Sequence, residues 1–463
     1  MEVLDQQLMN ADRSESVFWA KARIDNVATI TDYLTEELAN SAVENDTIYR
    51  CGEAVLAILD SRPAEAYQLA NQKLYTWQFD KVGEKWRRLY EEACLHMAAE
   101  ELVNLITPNK TDQTGTRYVG YGNKTCERYF CEAIKCLDRA LFIAGAPGRR
   151  SLIMAVFDKL EAFLDVHGSH IAPIVLNTRR PASLTSDHPM PRELEPLSLQ
   201  AFQKHLDSFG GPMVIHGTFG DWPATRRWQN ATYLLERTLG GRRTVPVEIG
   251  ASYTSSAWTQ QVMSFHDFMQ RFVLTPNAAE VGYLAQHDLL AQVPALRSDI
   301  LTPDYCFSAP PPSRGAAALT VGLDASPELG EPLVHAWLGP KGTKTPLHTD
   351  AYHNILCQVV GYKYVRLYAP EERVRLYPRG VDENGVNMAN TSGVDVEFVS
   401  SKGKGAQMEA EQARELEERF PRFREARYQE AILGPGEALY VPLGWWHYVE
   451  SLTNSFSVSF WFN

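Results

Sequence analysis

The 463-residue sequence predicts an all-α amino-terminal domain followed by a mainly β carboxy-terminal domain. Three observations carry that reading. Up to about residue 165, apolar residues recur three and four apart, the period of a helix buried on one face. From Leu333 onward, runs rich in β-branched and aromatic residues alternate with period two, as half-buried strands do. Between these parts, residues 166–200 mix prolines with polar residues and show no sustained period, so the linker and domain entry fall there. The expected division is 1–165 helical, 166–200 linker and 201–463 the second domain, with its β core at about 333–463.

In chain order, the stretches VATITDYLTEELAN, CGEAVLAILD, VGEKWRRLYEEACLHMAAEELVNLI and SLIMAVFDKLEAFLDV are the helical set, the last with Ser151 as its expected N-cap. No fixed repeat period relates them, so a packed helical domain is expected rather than a solenoid. PMVIHG and VPVEIG then read as short strands, separated by the helix ATYLLERTLG, which Gly240 closes. SFHDFMQRFVL is a further helix before the strand VGYLAQH. Residues 297–332, rich in Pro, Gly and Ala, read as an irregular loop. The segment 407–420 is a charged helix former standing in solvent. In the last strand, NSFSVSFWF, Phe456, Val458 and Phe460 point one way. Ser455, Ser457, Ser459 and Trp461 point the other, a small polar face suited to a wet interior.

Composition narrows the function classes. A net charge of −12 argues against broad non-specific binding to nucleic acid, because phosphate is repelled by an acidic surface. No 18-residue apolar span and no secretory leader pattern is visible, so no membrane partner and a soluble intracellular protein are expected. The seven cysteines form no CxxC pair, which speaks against a zinc finger or a disulfide framework.

The chemistry concentrates in GTKTPLHTDAYHNILCQVVGYKYVRLY and in LGPGEALYVPLGWWHYVESLTNSFSVSFWF. On a strand, side chains two apart share a face, so His348 and Asp350 point to one place, and His447 supplies a third ligand from the second stretch. Two imidazoles and a carboxylate are the facial set that holds Fe(II) and leaves coordination positions open for dioxygen and a co-substrate. Lys363, sharing a face with Val365 and Leu367, is a buried cation in need of a carboxylate. The C5 carboxylate of 2-oxoglutarate meets that need, with Thr345 and Asn354 as uncharged neighbours. His353 is read as a surface or outer-sphere residue. Trp337, in phase with His335 and Gly339, is read as a pocket wall.

These stretches, together with GPMVIHGTFGDWPATRRW, RRTVPVEIGASYTSSAWTQ and EVGYLAQHDLL, resemble the JmjC-domain oxygenases in order and spacing over roughly residues 185–463. The resemblance implies a double-stranded β-helix, a cupin-like jelly roll, as the catalytic fold. It places the iron ligands on His348, Asp350 and His447, and the 2-oxoglutarate contacts on Tyr283, Thr345, Asn354 and Lys363. Trp461 matches an aromatic lining the substrate pocket, and Glu248 matches an acidic residue that meets a substrate guanidinium.

By the same resemblance the activity is hydroxylation of arginyl side chains at C3, with Fe(II), 2-oxoglutarate and O2. The substrate is then a basic protein of histone, ribosomal or chromatin-associated kind, and the location the nucleus, with the cytoplasm also open. Similar proteins are described as histone N-methyl-lysine demethylases and as histone-tail proteases, and the triad does not separate these chemistries. A non-catalytic peptide-binding protein is the reading from a different class.

Overall fold

The computed structural model describes residues 21–40, 45–76, 81–107, 123–165, 173–176, 178–181, 188–250, 258–275, 278, 280–312, 327–381, 385–394, 414 and 417–463. The charged stretch 407–420 and the loop 297–332 lie largely or partly outside these residues. The chain forms two compact units.

The first unit is built on six helices, α1 (Lys21–Asn40), α2 (Glu53–Ser61), α3 (Pro63–Thr76), α4 (Glu84–Ile106), α5 (Asn123–Phe142) and α6 (Arg150–Asp165). Helix α4 runs through its middle, burying Leu89, Ala93, Leu95, Ala98 and Leu102 in one core with Phe130, Leu137, Phe157 and Leu160. Charge is buried here too, and it is paired. The Arg88 guanidinium donates to Asp46, Glu91 and Glu92, and Arg149 donates to Glu92. Glu91 also accepts the backbone N–H groups of Gly148 and Arg149, so a carboxylate from α4 caps α6. The expected cap, Ser151, instead lies exposed within the first turn of α6, because the cap comes from a distant helix that the local sequence cannot show. Gly148 is required at this point: a Cβ there would lie 2.1 Å from the Arg88 side chain. Residues Thr238–Val245 and Ser264–His266 belong to the same unit, where the fully buried Arg243 pairs with the fully buried Asp138 at 2.8 Å.

The second unit contains two sheets. The larger has the strand order β1-β2-β11-β8-β13-β6-β5-β3-β4, with β1 (Arg192–Glu193), β2 (Met213–His216), β3 (Thr244–Ile249), β4 (Thr259–Ser264), β5 (Gly282–His287), β6 (Leu333–Gly339), β8 (His353–Val360), β11 (Glu437–Val441) and β13 (Ser455–Phe462). The smaller has the order β10-β9-β12-β7, from β7 (Lys344–His348), β9 (Lys363–Tyr368), β10 (Tyr428–Leu433) and β12 (Trp446–Ser451). Strand β1 pairs parallel with β2, whereas β2–β11–β8–β13–β6–β5–β3 and all of the smaller sheet pair antiparallel. Leu356, Leu439 and Val441 of the larger sheet and Val365, Leu367, Leu433 and Val449 of the smaller form one core between them. Phe456 and Phe460 face away from that core, under Trp228 and Trp222, as the alternation in β13 predicts.

The closed double-stranded β-helix, or jelly-roll barrel, expected for this unit is corrected to a mixed, cupin-like pair of open sheets following a helical region. Among the described residues each sheet ends in edge strands that pair with no strand of the other: β1 and β4 bound the larger, β10 and β7 the smaller. Closing a barrel needs a continuous ladder between the sheets. The segment His188–Glu193 comes nearest to one. It exchanges two hydrogen bonds with Glu430 at an isolated bridge and then joins β2, and no ladder links the sheets among the described residues. Alternation along strands reveals which face is buried but not whether edges meet, so the sequence pattern fits both arrangements. Among the described residues no helix is long and apolar enough to cross a membrane, and the cysteines are unpaired.

Candidate metal centre

Strands β7 and β12 are antiparallel neighbours, and His348 lies opposite His447 in their register. The next pairing joins Thr345 to Val449, three residues along β7 against two along β12. This β-bulge turns both His348 and Thr345 toward the space between the sheets, which regular alternation forbids for residues three apart. Strand β7 ends at His348, so Asp350 reaches the same point from the turn that follows and not from the strand. The ligand atoms of His348, Asp350 and His447 all lie within 4.8 Å of one another, the one such cluster among the described residues. His348 Nε2 is 3.4 Å from one carboxylate oxygen of Asp350, and His447 Nε2 is 3.5 Å from the other.

Both imidazoles are oriented by the backbone. With Nδ1 carrying the proton, His348 donates to the Pro346 carbonyl at 2.8 Å and His447 to the Trp445 carbonyl at 3.2 Å, which leaves each Nε2 lone pair for a metal. Burial, with the neighbouring His348, pulls His447 down to about 4, so it is neutral at physiological pH. Burial works against the charge of Asp350, but His447 and His348 outweigh it and hold the carboxyl below its usual range. Two neutral-capable imidazoles and an ionised carboxylate on one side of a point are the donor set that suits Fe(II).

The cavity beside the triad has about 470 Å³ of empty space and is walled by Leu356, Val365, Leu367 and Leu439. Lys363 lines it too, almost wholly buried. Gly361 sets the turn that starts β9: its φ is +76°, and a Cβ would meet the Asn454 carbonyl oxygen at 1.9 Å. The Lys363 ammonium donates to the Tyr283 hydroxyl at 3.1 Å and has no carboxylate partner among the described residues. Tyr283 lies beside Thr345. The amide oxygen of Asn354 is buried without a partner, while its nitrogen faces Asp350 at 3.5 Å. An unpaired ammonium, a hydroxyl pair and an orphaned amide next to the triad fit a dicarboxylate that also reaches the metal. Arg366, on the opposite face of β9, pairs with Glu430 instead.

Burial brings Lys363 down to about 7, which yields a pH prediction. A dianionic co-substrate needs the ammonium, so affinity for 2-oxoglutarate should be level below that value and fall about tenfold per unit above it. One unit above, calorimetry in two buffers of different ionisation enthalpy should register uptake of most of a proton on binding. Uptake of none would remove Lys363 from the anion site.

A second cavity shares His348, Asp350, Tyr283, Thr345 and Trp337 with the first and adds Glu248 and Trp461. Glu248 faces it because Val245, Val247 and Ile249 of β3 are buried on the other side, and it sits opposite Tyr283 in the β3–β5 register. Burial raises its carboxyl pKa, against the opposing effect of the Trp258 indole. Trp337 is fixed by donating its indole N–H to Ser459 at 2.9 Å, and Trp461 packs against His335 and Tyr352.

Sequence reasoning missed Met388, Asn390 and Thr391, which line the same cavity from a segment bridged to β7 at His348↔Thr391. Their stretch carries no strand period, so no local signal marks it. His353, expected as a surface or outer-sphere residue, is half-buried and stacks on Tyr440, with which its Nδ1 shares a hydrogen bond at 2.9 Å.

Comparison with known proteins bears on residues outside the site as well as within it. Residues 199–463 match the family of cupin-like domains. The chain is 34% identical to Jumonji C domain-containing protein 5 of Drosophila melanogaster over 397 residues, which cover 84% of this chain and 83% of the fly protein. It is 33% identical to lysine-specific demethylase JMJ30 of Arabidopsis thaliana over 442 residues, covering 89% of this chain and 88% of the plant protein. Against lysine-specific demethylase 8 of Xenopus tropicalis the identity is 38% over 266 residues, covering 58% of this chain and 51% of the frog protein.

Proposed function

We propose that this chain, which belongs to the JmjC family of cupin-like, Fe(II)- and 2-oxoglutarate-dependent dioxygenases, hydroxylates arginyl side chains of a basic protein at C3. One observation carries the choice of substrate. A single cavity is lined by Glu248, Trp337 and Trp461 together with His348 and Asp350, which supports a slot for a substrate cation. A carboxylate that is largely buried, and that pairs with no cation among the described residues, favours a cation from the substrate. A guanidinium matches it in charge, in its planar fork of donors and in stacking on flat aromatic faces.

His348, Asp350 and His447 would hold the iron, and Lys363, Tyr283, Thr345 and Asn354 the 2-oxoglutarate. When bound, iron, 2-oxoglutarate and dioxygen supply oxidation of a C–H bond coupled to decarboxylation of the co-substrate to succinate. The chain's own residues orient and exclude. The carbonyls of Pro346 and Trp445 hold the imidazole rings, Leu356, Val365 and Leu367 keep water from the inner cavity, and Glu248 sets how far a side chain enters. A histone or other chromatin-associated substrate would place the reaction in the nucleus, and a ribosomal one would leave the cytoplasm open.

Replacing Glu248 by Gln keeps the shape and removes the charge. Succinate release with an arginine peptide should fall by about 30-fold or more, the cost of leaving a buried cation unpaired. Peptide-independent 2-oxoglutarate turnover should change little. Two relatives are named lysine-specific demethylases, which raises the competing reading, an N-methyl-lysine in the same slot. If methyl-lysine peptides outcompete arginine peptides and release formaldehyde in step with succinate, the slot is an ammonium cage and the arginine reading fails.

A further inference from the structure

The helical unit contains a groove with about 1680 Å³ of empty space, against about 470 Å³ for the cavity beside the triad. Its floor is one face of α4: Arg88, Glu92, His96, Ala99 and Val103 follow one another at three- and four-residue spacing. The face runs from Arg88 to Val103, fifteen helical steps, a length of about 22 Å or some four turns. One bank is the end of α1, with Leu38, and the other is the turn Thr47–Cys51 with Leu56 and Leu59 of α2.

The two ends of the groove differ chemically. At the Arg88 end the charges are buried and satisfied by one another, so that end is a finished wall. Beyond that end Ala99 and Val103 continue the floor, and with Leu38, Leu56 and Leu59 they give the groove an apolar trough; Val103 is 41% exposed, as is Tyr49 at 48% on the turn that carries Asp46, so apolar surface faces water. On its rim Asp60 and Glu100 are exposed and carry no ion pair among the described residues.

We propose that this groove receives an amphipathic helix of a partner protein, apolar on one face and basic along its flanks. An apolar trough set along a helix face suits side chains at i, i+3 or i+4 and i+7 of such a helix. The unpaired carboxylates of Asp60 and Glu100, on a chain of net charge −12, select lysine or arginine beside that apolar stripe. The chain's own first twenty residues suit it poorly, since they carry Glu2, Asp5, Asp12 and Glu15 against Arg13 alone.

The probe is a fluorescein-labelled peptide of about 18 residues built from leucine and lysine in helical amphipathic order, long enough to span the groove. Its controls are a scrambled peptide of the same composition and a leucine–glutamate counterpart. Titrated with the full chain and followed by anisotropy, the patterned lysine peptide should bind at least tenfold tighter than either control. The double variant Asp60→Lys, Glu100→Lys should reverse the preference toward the glutamate peptide, and Val103→Arg should weaken both patterned peptides tenfold or more. Thermal unfolding and iron-dependent 2-oxoglutarate turnover should stay at their usual values, since none of these residues lines the metal site. Equal binding of patterned and scrambled peptides, no binding of any, or an unchanged preference in the double variant would each overturn the proposal. Because the catalytic assay is read separately, failure here leaves the arginine reading standing, and the reverse also holds.

Discussion

Replacing Asp350 by alanine is expected to abolish iron-dependent release of succinate from 2-oxoglutarate while the chain stays folded. The carboxylate is the only anionic donor of the cluster, and it stands between two imidazoles whose Nε2 atoms are 3.4 and 3.5 Å away. Two neutral imidazoles alone bind Fe(II) weakly and present one open face too many. Losing even an outer-sphere partner of a metal ligand costs 10–100-fold, so losing the ligand should cost more than about 100-fold in turnover. The fold should survive because the contacts Asp350 makes in the protein are long, and because the two imidazoles left behind can be neutral and keep their backbone partners. Metal content after dialysis against iron gives the second readout, expected to fall with activity. Turnover at the usual rate with iron retained would show that a different carboxylate completes the site.

How much of this was legible beforehand depends on the range of the interaction. His348, Asp350 and His447 were readable as one metal site because residue type and strand alternation act over a few residues. The reason that Thr345 faces the same cavity was not readable. It depends on a bulge that appears only when β7 is laid against β12, a hundred residues later in the chain. Asp350 was expected on the strand and stands beyond its end, yet arrives at the same point because the turn brings it there. The helical region was legible from period alone, whereas the cap on α6 was not, since Glu91 comes from another helix. A closed barrel was expected and two open sheets are found, because pairing at the outer edges is a long-range matter on which the period of each strand is silent. For the same reason Met388, Asn390 and Thr391 went unseen, joined to the site through one bridge at His348.

The second large effect is expected at the anion anchor. Lys363 is 2% exposed, its ammonium donates to the Tyr283 hydroxyl and to no carboxylate among the described residues, and the cavity it lines also holds the triad. Alanine there removes the one cation of the inner cavity, so a carboxylate brought to the same depth would be desolvated with hydroxyls and an amide alone. Truncating one partner of a buried, hydrogen-bonded charge pair costs about 2–5 kcal/mol, and 2-oxoglutarate affinity by calorimetry should fall accordingly, on the order of 30-fold or more. The variant should not lose stability for the same reason that it loses affinity. Burial holds the free ammonium at about 7, well below its ordinary range, so in the unliganded protein the charged form opposes folding. A lysine whose folded pKa lies below its unfolded value lowers stability at every pH under the unfolded pKa, and the penalty is greatest when the group is charged in the fold. Without ligand, Lys363→Ala should therefore unfold at a temperature no lower than the parent chain once the loss of side-chain packing is allowed for, and it should lack the rise in stability that the parent shows as pH climbs from about 7 toward the ordinary lysine range. A co-substrate affinity equal to the parent's would assign the anchor to another cation, with Arg366 disfavoured because it faces away and is held by Glu430. A large drop in stability together with unchanged affinity would make Lys363 a structural residue and leave the dicarboxylate without its proposed anchor.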